Sequence, residues 1–594
     1  MNMKRLYNLL HALASPLRRE PVFFVFMYIL FVVARIFEQT NSTEPAAVYY
    51  LENVFDLYVL CVLLCILPAR LRPWVKALFY AVGYAAVVSE GFIHERFHLV
   101  YVPMTIQLLR ETNPDEAGEF FSAYLHGPAL VKIVLVYGPV LLLNIVGETF
   151  SHRVKRFVRR CAPTIGGRLF NICAPLFVGV CLVVSVGQKK VMLDFFMRKG
   201  TVMAERVDIH AFHTPLYRMI YSAYFLKLTD GELDNMRSRM HAMKIDSCSF
   251  KIPNIVLYIG ESYNKHHSQL YGYSLPTTPY QAEMARKGEL VVFSDVVSPW
   301  NVTSDVFKNI LSTHSADLDG TWTDGVLVPS VLKKAGYKVA FITSQYYKSP
   351  NMGITDFNGS FFLNDNELDS LCFDYRNKYR KRFDSNLVNE IDSIERGGNN
   401  FIIFHGMGQH QEYNKRFGPK NVKFTVDDYA HRTDLNENEK QIIADYDNAT
   451  RFNDLVFSLL CRKFRDDDAV VVYLSDHGEE VFDRVHNFGR DHAAALTSDI
   501  AYSEFEIPFV VWFSPKARRL HSDVFENARA AAGKPFASDD LPFVLMGLAG
   551  VESDLYDGRR DLLNPQFDEG RKRIMKQTVD YDSLMSAEKQ TALR

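Results

Sequence analysis

The chain changes its hydrophobic pattern once, near residue 187. Before that point five long apolar runs, 21–37, 48–67, 74–92, 129–146 and 169–186, carry few internal charges. Each is close to the roughly 17–25 residues needed to cross a bilayer. After it, short apolar runs at 254–259, 290–297, 338–343, 400–405, 469–474 and 509–513 alternate with helix-period segments such as 440–464. That alternation predicts a mostly parallel sheet between layers of helices. The pattern therefore divides the chain into an α-helical five-span transmembrane domain over 1–187, an amphipathic bridge at the outer membrane surface over 188–250, and an α/β soluble domain over 251–594.

Charge adds an orientation. Lys4, Arg5, Arg18 and Arg19 precede the first run, Arg70, Arg72 and Lys76 follow the second, and six Lys or Arg residues from Arg153 to Arg168 lie between the fourth and fifth. The segments 38–47 and 93–128 hold only Arg96 and Arg110. The positive-inside rule then puts the amino terminus in the cytoplasm and everything after residue 187 outside. Arg35 near the end of the first run, and the four runs that follow, argue that this run is retained rather than cleaved as a signal peptide. Glu52 and Asp56 lie one turn apart near the outer end of the second span. Inside a span such groups are often functional, whereas a helix starting at Leu57 leaves them in the loop. A formal net charge of −2 gives no support for a nucleic-acid partner. Only Cys248, Cys372 and Cys461 fall in the soluble part, so at most one disulfide is available there.

The candidate chemistry sits at strand ends. The first soluble strand stops at Gly260-Glu261-Ser262, and the fifth runs into Ser475-Asp476-His477-Gly478. Thr303 follows the second strand, His405 and His410 the fourth, and His486 and His492 come soon after the fifth. In open α/β sheets reactive groups collect beyond the carboxyl ends of strands, so one sheet edge can bring these residues together. Two carboxylates, an imidazole and a hydroxyl would complete a four-ligand zinc shell. A threonine oxygen in such a shell becomes a nucleophile near neutral pH. The bland alternative for Thr303 is a helix cap for 304–311. The extra histidines could contact phosphate oxygens or hold a second metal.

These residues resemble the alkaline-phosphatase/sulfatase superfamily and, within it, the membrane-bound phosphoethanolamine transferases that modify lipid A and related surface glycans. The matching motifs are Gly260-Glu261-Ser262, Leu270-Tyr271-Gly272-Tyr273, Thr277-Thr278-Pro279, the approach Asp295-Val296-Val297-Ser298 to Thr303, Tyr446-Asp447-Asn448 and Ser475-Asp476-His477-Gly478-Glu479. In the membrane half, residues Glu111 to Phe120, with Glu116 among them, look like the family's motif in its second outer loop.

The resemblance implies that Glu261, Thr303, Asp476 and His477 bind one or two zinc ions, that Thr303 carries the transferred group, and that His410, His492 and Glu116 contact substrate. It implies phosphatidylethanolamine as donor, lipid A or another envelope glycan as acceptor, and an inner-membrane location with a periplasmic catalytic domain. Two rivals share features with this reading: a phosphoglycerol transferase of the lipoteichoic-acid-synthase type, and a non-catalytic membrane sensor. A sulfatase activity is disfavoured, since no outer-side residue lies in a Cys/Ser-x-Pro-x-Arg pattern.

Overall fold

The computed structural model describes residues 3–38, 46–97, 100–103, 105–106, 128–161, 164–197, 211–345, 365–379, 381–394, 398–490 and 496–592. Its chain divides into two compact units, Met1–Thr229 and Asp230–Arg594. The first is helical: α1 Met3–Arg19, α2 Pro21–Glu38, α3 Ala46–Ile66, α4 Arg72–Phe97, α5 Pro128–Thr149, α6 Ser151–Cys161 and α7 Ile165–Met197, followed by α8 Pro215–Ala242, which runs into the second unit. Among the described residues α3, α4, α5 and α7 are each long and apolar enough to cross a membrane, and α1 with α2, bent by 71°, make a fifth span if counted together. Phe23, Met27, Leu57, Cys61, Tyr84 and Tyr137 pack into one cluster that joins α2 to α5.

Two boundaries differ from the pattern. The last apolar helix continues to Met197, past the expected end at 186. Helix α3 starts at Ala46 rather than at Leu57, so Glu52 and Asp56 lie within it. There His213 Nδ1 is 3.0 Å from Glu52 Oε2, its Nε2 is 3.2 Å from Asp56 Oδ2, and Lys189 Nζ is 2.7 Å from the same aspartate oxygen. Pairing with cationic or hydrogen-bonding partners is what allows carboxylates to enter a helix at this depth.

The second unit is built on a seven-stranded sheet. Its strands are β1 Asn254–Gly260, β2 Leu290–Phe293, β3 Lys338–Thr343, β4 Tyr375–Arg376, β5 Asn400–His405, β6 Ala469–Ser475 and β7 Phe509–Phe513. In space they run β2-β7-β6-β1-β5-β3-β4. Strand β7 runs opposite to both of its neighbours, β2 and β6, while β1 is parallel to both β5 and β6. The central strands read as unbroken apolar runs because both of their faces are covered. On one face Val256, Tyr258, Val471 and Tyr473 meet Val456, Phe457 and Leu460 of a long helix. On the other, Ile255, Leu257 and Ile259 are fully buried as well.

That long helix, Glu437–Lys463, and a short one, Thr303–Ile310, flank the strand ends that matter for chemistry; they are α10 and α9. Helix α10 begins with a capping box in which Asn436 accepts from the Asn438 and Glu439 N–H groups and Glu439 accepts from the Asn436 N–H. The apolar run 290–297 does not form one strand. It leaves the sheet after Phe293, where the Ser294 N–H donates to Ala532 O, and Val296–Val297 pairs instead with Phe536–Ala537. The polar pair Ser294-Asp295 marks this break, and it lets the chain swing toward Thr303.

Candidate active site

The site is set up by a register. Gly260 at the end of β1 pairs with Ser475 at the end of β6. The next residue on each strand is a carboxylate, so Glu261 and Asp476 leave the sheet side by side, both fully buried. Gly260 suits this crossing because a Cβ there would lie 2.5 Å from Tyr473 Oη. Ser262 follows with φ 56°, a left-handed conformation that costs an L-residue about 1–3 kcal/mol. It is held by its N–H to Asp476 Oδ1 at 3.0 Å and by Tyr446 Oη, which donates to its carbonyl at 2.7 Å. The Asn264 N–H donates to the same tyrosine oxygen at 2.7 Å.

Thr303 is the first residue of α9, and Val302 occupies the cap position. The threonine hydroxyl faces the carboxylate pair instead of acting as that cap: Oγ1 lies 3.2 and 3.1 Å from the Glu261 oxygens and 3.2 Å from His477 Nε2. His477 is fully buried, and its Nδ1 donates to Gly478 O at 2.8 Å. That bond fixes the tautomer, leaving Nε2 with its lone pair aimed into the site. Nε2 is 3.4 Å from Glu261 Oε1 and 3.2 Å from Asp476 Oδ2.

The donor set fits a divalent cation. Ligand atoms of Glu261, Asp476 and His477 all lie within 4.8 Å of one another. Asp476 Oδ2 is buried and accepts no hydrogen bond, which is costly for a carboxylate unless a positive charge meets it. Burial acts against ionisation of Glu261, but hydrogen bonding within the cluster and the nearby Arg490 charge outweigh it and hold the carboxyl well below its usual range. Burial, reinforced by the Glu261 charge, pushes Asp476 well above its own. Burial also pushes His477 down to about 4. Two like charges this close and this buried ionise together only when a cation lies between them. The oxygen and nitrogen donors suit zinc.

Of the other histidines singled out from the sequence, His410 lies beside the cluster. The Gln409 N–H donates to Glu261 O at 2.9 Å, and a Cβ on Gly408, whose φ is 44°, would sit 2.8 Å from that same backbone. His405 is buried at the end of β5 against Thr343 Oγ1 at 3.1 Å, and burial pushes it down to about 3. His486 is exposed and pairs with Glu439 at 3.1 Å, so it takes no part in the cluster. His492 and Glu116 lie outside the described residues.

Two contributors carry no periodic signal in the sequence. Gln345 Nε2 donates to Glu261 Oε2 at 2.8 Å and to Gly406 O at 3.0 Å. Arg490 Nη1 lies 2.7 Å from His477 Nε2 and donates to Asn301 O at 3.1 Å. Its proximity to Asp491-His492 in sequence is the one hint that could have drawn attention to it.

A buried carboxylate pair, an oriented imidazole and a hydroxyl thus meet at the carboxyl edge of a mixed α/β sheet, an arrangement with the donors to hold a divalent cation beside a hydroxyl. The sequence profile of the Sulfatase family matches residues 253–551, and the chain belongs to that family. It is 28% identical over 533 residues to phosphoethanolamine transferase EptC of Escherichia coli strain K12, spanning 87% of this chain and 88% of that protein. It is likewise 28% identical over 540 residues to phosphoethanolamine transferase CptA of Salmonella typhimurium strain LT2, with the same coverage. A crystal structure of the C-terminal periplasmic domain of EptC from Escherichia coli in complex with Zn shares 26% identity, covering 58% of this chain and 96% of that one, with a TM-score of 0.49.

Proposed function

We propose that this protein is an inner-membrane phosphoethanolamine transferase that moves the group from phosphatidylethanolamine to lipid A or another envelope glycan, with Thr303 as its carrier. The observation that carries the reading is the position of Thr303 Oγ1, 3.1–3.2 Å from both Glu261 and His477. The length over which the chain aligns with curated phosphoethanolamine transferases supports the choice of group. In this reading residues 1–187 anchor the chain with its amino terminus in the cytoplasm, 188–250 bridge along the outer surface, and 251–594 act in the periplasm.

Glu261, Asp476, His477 and Thr303 would hold zinc. When bound, the ion lowers the pKa of a nearby hydroxyl and offsets negative charge on the phosphoryl oxygens. The chain's own residues do the rest. The Thr303 hydroxyl hydrogen is held by the Glu261 carboxylate, which leaves an oxygen lone pair for phosphorus. A Thr303 Oγ1–phosphorus bond forms as the phosphorus–oxygen bond to diacylglycerol breaks, and the diacylglycerol oxygen takes up a proton. An acceptor oxygen then bonds to phosphorus as the Thr303 Oγ1–phosphorus bond breaks, and the acceptor's proton passes to Thr303 Oγ1, restoring the hydroxyl. Arg490 supplies a fixed positive charge beside the cluster, and the α9 amino terminus adds a partial one. His410 is placed to meet the transferred group, a role this reading also assigns to His492 and Glu116.

Mass spectrometry of envelope glycolipids from cells with and without the protein tests the proposal. Phosphoethanolamine should appear on an acceptor only when the protein is present. Unchanged glycolipids under conditions where it is made would rule the activity out.

A further inference from the structure

A cavity of about 680 Å³ lies between α4 and α5 in the helical unit. Ala77, Ala81 and Leu141 line it along the helices. At the helix ends it is lined by Glu20, Arg72, Lys76, Glu148 and Lys155, on the side of the membrane that the Lys and Arg bias marks as cytoplasmic. Lys76 Nζ lies 3.2 Å from Glu20 Oε2 and 2.5 Å from Glu148 Oε1, and Lys155 Nζ lies 3.0 Å from Glu20 Oε1. Two lysines thus answer two carboxylates. Arg72 is the third cation. Its Nη2 donates to Leu67 O at 3.1 Å, beyond the end of α3, and no carboxylate among the described residues pairs with it. The lining is therefore one negative charge short of balance, and its surroundings do not make up the difference. Across 1–20, 66–76 and 148–168 the sequence holds no acid besides Glu20 and Glu148. Helix α6, which supplies Lys155, also carries Arg153, Arg156, Arg159 and Arg160.

We propose that this cavity binds one anionic phospholipid, with its phosphodiester beside Arg72 and an acyl chain along the apolar wall. A phosphodiester brings the missing charge, and the planar fork of a guanidinium can take two of its oxygens. A head group that carries its own ammonium restores the positive excess, so phosphatidylglycerol fits where phosphatidylethanolamine does not. Basic pockets between membrane helices on the cytoplasmic side recognise lipid head groups in this way. The volume is that of a small-molecule site, which runs to roughly 300–1,000 Å³. In the proposed orientation the lipid belongs to the cytoplasmic leaflet and is not the donor. Glu20 stands at the 71° bend between α1 and α2, and its lysine partners come from α4 and α6, so the lipid would join the ends of these helices. The inference needs only that the helices cross a bilayer, and it stands whichever group the second unit transfers.

The test titrates the detergent-solubilised full chain with phosphatidylglycerol, alone and against phosphatidylethanolamine, and counts bound lipid by native mass spectrometry. One phosphatidylglycerol should bind and should withstand an excess of phosphatidylethanolamine of about ten-fold. Arg72→Gln should raise its Kd about ten-fold, the scale of one hydrogen bond to a charged group. Because Arg72 also bonds the chain after α3, Ala81→Phe is measured beside it: this exposed position on the groove wall touches no charge, and filling it should weaken binding by a similar factor. Arg159→Gln, on α6 but outside the cavity, should leave the Kd unchanged. Displacement by an equal amount of phosphatidylethanolamine overturns the proposal, as does an unmoved Kd in Ala81→Phe or in a folded Arg72→Gln. Equal weakening by Arg159→Gln overturns it too, by reducing the binding to attraction toward a basic surface.

Discussion

Gly260 and Ser475 are register partners on adjacent parallel strands, and that one pairing brings Glu261 beside Asp476 at the sheet edge. A slip of one residue would turn one carboxylate to the opposite face. The apolar runs on both strands prevent the slip, because every residue from Asn254 to Gly260 and from Ala469 to Ser475 is buried. Packing therefore fixes the electrostatics: two carboxyl groups are held together in a buried place where both can ionise only beside a cation.

Metal removal should be visible as lost stability. A ligand at 100 times its Kd stabilises the state it binds by about 2.7 kcal/mol. Chelation should lower the melting temperature of the wild-type protein, and added zinc should restore it. Asp476→Asn should abolish that response while leaving metal-free stability unchanged or raised, since it removes a buried carboxyl whose Oδ2 lacks a hydrogen bond. A chelator-insensitive wild type would count against the metal site.

Tyr446 ties the loop after Glu261 to α10 through two bonds of 2.7 Å. Tyr446→Phe leaves a buried carbonyl and a buried N–H without their partner, at a cost of about 1–3 kcal/mol. With one of the two bonds that hold Ser262 at φ 56° gone, Glu261 should shift, and kcat should fall on the order of 10–100-fold. Urea unfolding and turnover measured on the same preparation check both effects. Full turnover in a destabilised variant would mean that the loop does not position Glu261.

The parts of this site legible in the sequence are those that backbone periodicity fixes. Glu261 and Asp476 end apolar strands, and a strand end is readable. Thr303 is legible through its motif, although the run before it is two segments rather than one strand: the Ser294-Asp295 break depends on Ala532, far along the chain. Gln345 and Arg490 were not legible, because each enters from an irregular segment where tertiary contacts alone decide direction. Glu52 was ambiguous for a related reason. Its place inside α3 depends on His213, 161 residues away, and no local pattern reports such a partner.

Stability should also depend on pH through His267. Burial opposes its ionisation, yet Asp483 and Asp447 override it and raise its pKa from 6.5 to about 10. A group with a raised folded pKa stabilises fully below its unfolded value and loses that contribution as pH rises through the folded one. The melting temperature should therefore decline between pH 6.5 and about 10. His267→Gln should flatten that decline, and parallel slopes for the two proteins would contradict the assignment.

Orientation in the membrane is open to a reporter fused after Arg594. The Lys and Arg bias of the segments between the spans predicts activity only from a reporter that works in the periplasm. Activity from a cytoplasm-specific reporter at that position would reverse the topology.

The central claim is that Thr303 carries the group. Thr303→Ala should abolish transfer while keeping the fold and most of the metal, and Thr303→Ser should retain a fraction of the activity through the same oxygen. The most direct measurement is peptide mass spectrometry of the full chain after incubation with phosphatidylethanolamine and no acceptor. The predicted result is phosphoethanolamine on Thr303, discharged when acceptor is added. An active protein whose Thr303 stays unmodified, or a Thr303→Ala variant that still transfers, would contradict it.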